Sequence, residues 1–199
     1  MYRYPDAVIL VFCKAPVPGQ VKTRLTPPLT GEEAAQLHKE LSELTLMKAT
    51  HNALCPVQLW CAPDIGHPYF VSLEQCYAIE RRQQQGDDLG ARMNHAFAEA
   101  LTHYKSAVLI GCDCPSFTSD DLEQALVNLR QGKTCVLAPA EDGGYVLIGL
   151  NRQLPFLFED IVWGTEQVLA QSLMRLQAQK INGRIEKPTY VKIAYLHSR

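Results

Sequence analysis

The stretch Ala107-Val108-Leu109-Ile110-Gly111-Cys112-Asp113-Cys114-Pro115 decides how this chain folds. An apolar run stops at a glycine, one carboxylate follows, and a proline then forbids regular strand pairing. The pattern predicts a buried strand that delivers Asp113 to its C-terminal edge. In an open α/β sheet, ligands collect at that edge. An acid placed there suits a hard divalent cation such as Mg2+. The same aspartate also reads as a turn residue that caps the next helix.

Other segments share the periodicity of that strand. Ala7-Val8-Ile9-Leu10-Val11-Phe12 is a continuous apolar run and predicts a central strand buried on both faces. Further strands are expected at Val57–Cys61, Tyr77–Arg82, Thr134–Ala138, Tyr145–Leu150 and Tyr190–Leu196. Helices are expected between them. Thr30-Gly31-Glu32-Glu33 is a capping box, and Leu37, Leu41 and Leu44 recur at helical spacing, which places His38 and His51 on the solvated side. A short helix is expected over Tyr69–Cys76. Asp87 or Asp88 caps a helix whose apolar face carries Met93, Phe97 and Leu101. Thr118 opens another over Leu122, Ala125, Leu126 and Leu129, with Asp120 and Asp121 favourable to its dipole. Thr165 is the expected cap of a last helix bearing Val168, Leu169, Leu173 and Leu176. Strands alternating with helices predict a three-layer α/β/α sandwich with a mainly parallel sheet, in one domain spanning residues 1–199.

Bulk properties exclude several classes of function. The chain has 199 residues, 20% of them charged, and a net charge of -2. No basic field is available for nucleic acid. No apolar run approaches the ~20 residues of a membrane span. The seven cysteines are odd in number and contain no Cys-x-x-Cys pair, which fits free thiols in a reducing cytoplasm. The N-terminus enters a strand-like run directly, so no signal peptide is expected.

Two loops carry chemistry. After the first strand comes Cys13-Lys14-Ala15-Pro16-Val17-Pro18-Gly19-Gln20-Val21-Lys22-Thr23-Arg24-Leu25. Lys14, Lys22 and Arg24 surround backbone made irregular by two prolines and a glycine, which is equipment for polyphosphate. No Gly-Lys-Ser/Thr opens a helix here, so it is not a Walker loop. The second is Pro139-Ala140-Glu141-Asp142-Gly143-Gly144-Tyr145. It reads equally as a hairpin turn or as a ligand loop in which Glu141 or Asp142 meets a hydroxyl or amine. Gly90, in the first turn of its helix, costs helix propensity and implies close approach of either a ligand or a packed neighbour.

These segments, together with Gly86-Asp-Asp88-Leu89-Gly90-Ala-Arg92-Met93 and Trp163-Gly164-Thr165, resemble the motifs of the bacterial rSAM/selenodomain-associated transferase 1 family, and do so in the right order. That family is similar in fold to the GT-A nucleotide-diphospho-sugar transferases. The Lys-Thr-Arg-Leu segment also resembles that of 2-phospholactate guanylyltransferases. The resemblance spans roughly residues 7–175 and implies a Rossmann-like GT-A fold with nucleotide-linked transfer. It implies that Lys14, Gly19, Lys22 and Arg24, with Asp88, Gly90 and Arg92, hold a nucleoside triphosphate or nucleotide sugar. Asp113 would hold Mg2+ or Mn2+. Glu141, Asp142, Gly143, Gly144, Tyr145, Trp163, Gly164 and Thr165 would line the pocket of a small-molecule acceptor, with Asp142 or Glu141 as base. One departure stands out. Members and GT-A relatives usually carry a later strand followed by an Asp-x-Asp-like pair, whereas Tyr190-Val-Lys-Ile-Ala-Tyr-Leu-His-Ser-Arg199 has no acid. The readings that follow are a metal-dependent nucleotidyl- or glycosyltransferase, a non-catalytic nucleotide- or sugar-binding protein, and a thiol or zinc enzyme built on Cys112 and Cys114.

Overall fold

The structure, a computed structural model, describes residues 1–181 and 183–185. Its strands are β1 (Ala7–Lys14), β2 (Val57–Ala62), β3 (Glu80–Gln83), β4 (Ser106–Gly111), β5 (Cys135–Pro139), β6 (Tyr145–Leu150) and β7 (Gly183–Ile185). Its helices are α1 (Gly31–Thr50), α2 (Pro68–Cys76), α3 (Leu89–Ala100), α4 (Ser119–Arg130) and α5 (Val168–Ala178). The strands form one sheet in the order β3-β2-β1-β4-β6-β5-β7. All pairings are parallel except those of β6, which runs against both β4 and β5. The sheet is therefore mainly parallel, as expected.

Strand periodicity builds the layers. Ile9, Val11 and Cys13 of β1 face a core shared with α1, α2 and α4, while Val8, Leu10 and Phe12 face one shared with α3 and α5. Phe70 and Leu122 fill the first core, Trp60 and Phe97 the second, all essentially without exposure. Each such burial favours the fold by about 1.5–3 kcal/mol before entropy is counted. No helix among the described residues is long and apolar enough to cross a membrane.

Helix α1 departs from its expected orientation. Leu37, Leu41 and Leu44 are only half-buried. The buried face is Ala34, Ala35, His38, Ser42, Thr45, Leu46 and Ala49. Small residues let the helix lie close to the sheet, and His38, expected in solvent, finds a partner there. Its Nε2 lies 2.9 Å from the Lys14 carbonyl at the end of β1. Strand β3 begins later than the expected Tyr77–Arg82, because Tyr77 closes α2 by donating its N–H to the Leu73 carbonyl. Thr165 is not the cap of α5. That helix starts at Val168 without a side-chain cap, and the Thr165 hydroxyl donates to the Val162 carbonyl at 2.8 Å. The strand expected at Tyr190–Leu196 lies outside the described residues, as does the region of the departure noted above.

The buried thiols make stability depend on alkaline pH. Burial pushes Cys55, Cys61 and Cys135 up to about 12 from an ordinary value of 9.0. A group raised on folding gives its full stability below the unfolded pKa and loses it as pH climbs toward the folded one. Urea midpoints should therefore fall above pH 9. For Cys135→Ala the fall between about pH 9 and pH 10.5 should be smaller than wild type by about 2 kcal/mol, one proton over 1.5 pH units. Identical pH profiles for the two proteins would exclude this origin.

Candidate functional site

The expected motifs gather at the C-terminal edge of the parallel strands. Asp113 follows β4 by two residues, on a loop braced from several sides. The Cys112 thiol donates to the Phe12 carbonyl at 3.4 Å, and Lys48 Nζ to the Pro115 carbonyl at 2.6 Å. Ser119 Oγ returns a bond to the Lys48 carbonyl at 2.9 Å. The cap of α4 is Thr118, in a reciprocal capping box with Asp121. Capping is thus done without Asp113, and its side chain is left 71% exposed.

Its partner comes from the loop after β1. Lys22, in a left-handed conformation at φ 51°, has a side chain only 9% exposed and sets Nζ 2.6 Å from Asp113 Oδ1. A cation and an anion 91 residues apart in sequence thus meet where β1 and β4 run side by side. Gly19, at φ +76°, touches the start of α1, since a methyl on Gly31 would stand 3.2 Å from the Gly19 nitrogen. Arg24 reaches the other flank, its guanidinium 3.7 Å from where a methyl on Gly164 would stand. Lys14 and Arg24 are exposed and form no ion pair among the described residues. Three cations therefore line one rim, of which two are free to meet an anion.

The segment from Gly86 to Met93 serves structure more than the sequence suggested. Asp88 Oδ1 accepts the Ala91 N–H at 2.7 Å and caps α3. Arg92 Nε folds back onto the Gly86 carbonyl at 2.9 Å. Gly90 is buried; a methyl there would come within 2.5 Å of both the Phe158 carbonyl oxygen and Trp163 Nε1. Of the two reasons offered for a glycine here, close packing against a neighbour is present.

Glu141-Asp142-Gly143-Gly144 is the turn of the β5–β6 hairpin. Asp142 Oδ1 accepts the Gly144 N–H at 3.1 Å, and both acids are exposed at the same edge as Asp113. Gly143, at φ +81°, lies against Glu166, and its carbonyl accepts the Leu169 N–H at 2.9 Å. Tyr145 and Trp163, expected in an acceptor pocket, pack against the α3/α5 core with ring centroids 6.5 Å apart and edge to face. Burial pushes the Tyr145 phenol well above its usual range. These two rings fasten the 163–167 segment beside the hairpin, so their place is under the site.

Sequence reasoning missed a polar layer beneath the β1 exit. Cys13 Sγ lies 3.4 Å from Ser42 Oγ and 3.9 Å from His38 Nε2. The neighbouring Cys112 thiol, with help from His38 and Ser42, lowers the Cys13 pKa against the opposing effect of burial, while Cys112 itself is raised. Burial opposes protonation of His38, but its contacts with Cys13 and the Lys14 carbonyl outweigh this and raise it. The one signal in the sequence was the i, i+4 spacing of His38 and Ser42 opposite the half-buried leucines.

These donors suit a divalent cation only in part. Asp113 offers a hard oxygen that already accepts a positive group, the Lys22 ammonium, which is the chemistry such an ion requires. Among the described residues no three His, Cys, Asp or Glu side chains cluster as a complete metal site. Asp113 could therefore serve as one anchor for such an ion, whose other ligands would have to be water or the ligand's own oxygens.

Comparison with known proteins gives the same architecture. A crystal structure described as "putative nucleotide-diphospho-sugar transferase from Desulfovibrio desulfuricans G20" superposes with a TM-score of 0.84 at 28% identity, covering 94% of this chain and 81% of that one. The 4-diphosphocytidyl-2C-methyl-D-erythritol synthase of Anaerococcus prevotii gives 0.60 at 11% identity, over 94% and 90% of the two chains. A cytidylyltransferase from Leptospira borgpetersenii gives 0.55 at 12% identity, over 92% and 76%. The latter two share the fold alone. No protein of curated function matches the chain. Residues 45–165 match the family described as "Uncharacterized protein conserved in bacteria (DUF2064)". That match covers more than half of the sequence and includes Asp113, the hairpin and Trp163, so the chain belongs to the DUF2064 family.

Proposed function

We propose that this protein is a cytoplasmic, Mg2+- or Mn2+-dependent nucleotidyl- or glycosyltransferase that takes a nucleoside triphosphate or nucleotide sugar and passes part of it to a small-molecule acceptor. Within DUF2064 we assign it to the rSAM/selenodomain-associated transferase 1 group, on the five motifs quoted above. The observation that carries the reading is the meeting of Lys22 and Asp113 at 2.6 Å between the ends of β1 and β4. A phosphate-seeking cation and a metal-seeking anion at one strand edge suit a charged diphosphate better than any neutral ligand.

Lys14, Lys22 and Arg24 bind and orient the phosphates. Asp113 anchors the divalent ion, which supplies charge neutralisation on the departing phosphate when bound. Asp142 and Glu141, exposed on the hairpin, face the acceptor side, and whichever carboxylate lies nearer the nucleophile takes its proton. The chain provides positioning and electrostatics and needs no nucleophile of its own.

A thermal-shift panel of nucleoside triphosphates and nucleotide sugars, with and without Mn2+, tests the reading, because ligands that bind the native state raise the midpoint. At least one donor should stabilise the protein in a metal-dependent way and be consumed when acceptors are supplied. Arg24→Ala should weaken that donor about 10- to 100-fold and leave the matching nucleoside unaffected. Binding without turnover across the panel would favour the non-catalytic reading, and no binding at all would dismiss both.

A further inference from the structure

We infer that Lys22 is an internal counter-cation which keeps a divalent metal off Asp113 until the phosphates of the ligand draw the ammonium away. Metal and nucleotide then enter together, and metal alone does not load. This deepens the reading above and rests on it.

The argument starts from burial. The Lys22 side chain is 9% exposed, yet its ammonium is a strongly hydrated group that is costly to hold away from water unless paired. Asp113 Oδ1, at 2.6 Å, is its ion-pair partner among the described residues. The carboxylate is 71% exposed, so approach by solvent or a metal ion is open. The asymmetry matters. Asp113 pairs with Lys22 without being enclosed, whereas Lys22 is enclosed and depends on Asp113. A divalent cation binding Asp113 alone would compete with the ammonium for one carboxylate and leave a largely enclosed lysine side chain without its anion. Removing one partner from such a pair costs more than an exposed pair is worth.

Phosphate resolves the conflict. Lys22 follows Gly19, lies in the left-handed region at φ 51°, and begins the short 3-10 turn Thr23–Leu25 that carries Arg24 toward Gly164. A polyphosphate lying along that loop offers the ammonium new oxygens and frees Asp113 for the metal those oxygens also coordinate. The loop and the metal anchor are then coupled by charge, each ligand raising the affinity for the other equally.

The test uses Mn2+ alone as the probe and reads paramagnetic broadening of the backbone amide signals of Gly111, Cys112 and Cys114. In the wild-type protein these signals should stay sharp with Mn2+ alone and broaden once inorganic tripolyphosphate is added. Lys22→Met, which suits the buried stem, should show broadening on Mn2+ alone, at a metal concentration at least about ten-fold below that needed by wild type. Lys22→Arg keeps the cation and should remain sharp. Adding Asp113→Asn to Lys22→Met should abolish the effect. Broadening of wild type and Lys22→Met at the same Mn2+ concentration overturns the inference, as does an unbroadened Lys22→Met whose spectrum is otherwise native. Failure of the functional reading is recognised separately, because tripolyphosphate would then shift no resonance in the Lys14–Leu25 loop with or without metal.

Discussion

Asp113→Asn should lower metal-dependent donor binding and turnover by roughly two orders of magnitude or more, the scale on which loss of one electrostatic contact to a reacting phosphate is felt. Asparagine keeps the shape of the side chain and one oxygen for the Lys22 ammonium, but loses the negative charge a hard cation requires. The side chain is 71% exposed and Thr118 does the capping of α4, so the fold should persist, at a cost of about 1–3 kcal/mol because the enclosed Lys22 ammonium keeps an amide oxygen but loses its anion. Melting curves in the absence of ligand, set beside calorimetry with the metal–nucleotide complex, separate the two effects. Undiminished metal-dependent affinity in a normally folded variant would remove Asp113 from its assigned place.

Gly143→Ala should be the most disruptive single methyl in the hairpin. At φ +81° an alanine is strained, and its β-carbon would stand 2.0 Å from the Glu166 carbonyl oxygen and 2.5 Å from the carbonyl carbon. Backbone atoms cannot swing aside as a side chain can, so the hairpin and the 163–167 segment must part, breaking the Leu169 N–H to Gly143 carbonyl bond. Overpacking and backbone strain together suggest a loss of about 2–4 kcal/mol, or roughly 5–15 °C in a chain of this size. Gly132→Ala is the internal control. Its φ is +91°, but a methyl there meets nothing within 4 Å, so it reports the cost of backbone conformation alone. Equal melting temperatures for the two variants would show that the close approach at Glu166 carries no weight. Donor affinity of Gly143→Ala should fall as well, because the displaced segment includes Gly164, against which Arg24 is set.

Much of this was legible because it is local. Unbroken apolar runs announced β1 and β4, Thr30 with Glu33 formed the expected capping box, and Thr118 capped its helix as read, while the reciprocal bond from Asp121, read only as favourable to the dipole, was not foreseen. Asp88 also capped its helix as read. The face of α1 was misjudged because its buried stripe is made of alanine, serine, threonine and histidine, while its leucines lie at the margins; periodicity of large residues is a poor guide where close approach is what matters. Thr165 had the composition of a cap, but its hydroxyl is used one turn earlier. The site itself is a set of long-range meetings: Lys22 with Asp113, Arg24 with Gly164, Gly143 with Glu166 and Gly90 with Trp163. Spacing along the chain says nothing of these. The glycines were the visible hint, and only coordinates distinguish a glycine that admits a ligand from one that admits a neighbouring backbone.

The reversal of β6 has a practical consequence for anyone who wishes to alter this molecule. It returns the chain to the edge where the parallel strands begin, so that Asn151–Leu154 joins the turns Leu101–Lys105 and Gln131–Thr134 opposite Asp113. None of them carries a motif residue. A fluorescent label, an affinity tag or a fused domain placed at Gly132 would sit at the edge away from Asp113, Lys22 and the β5–β6 hairpin.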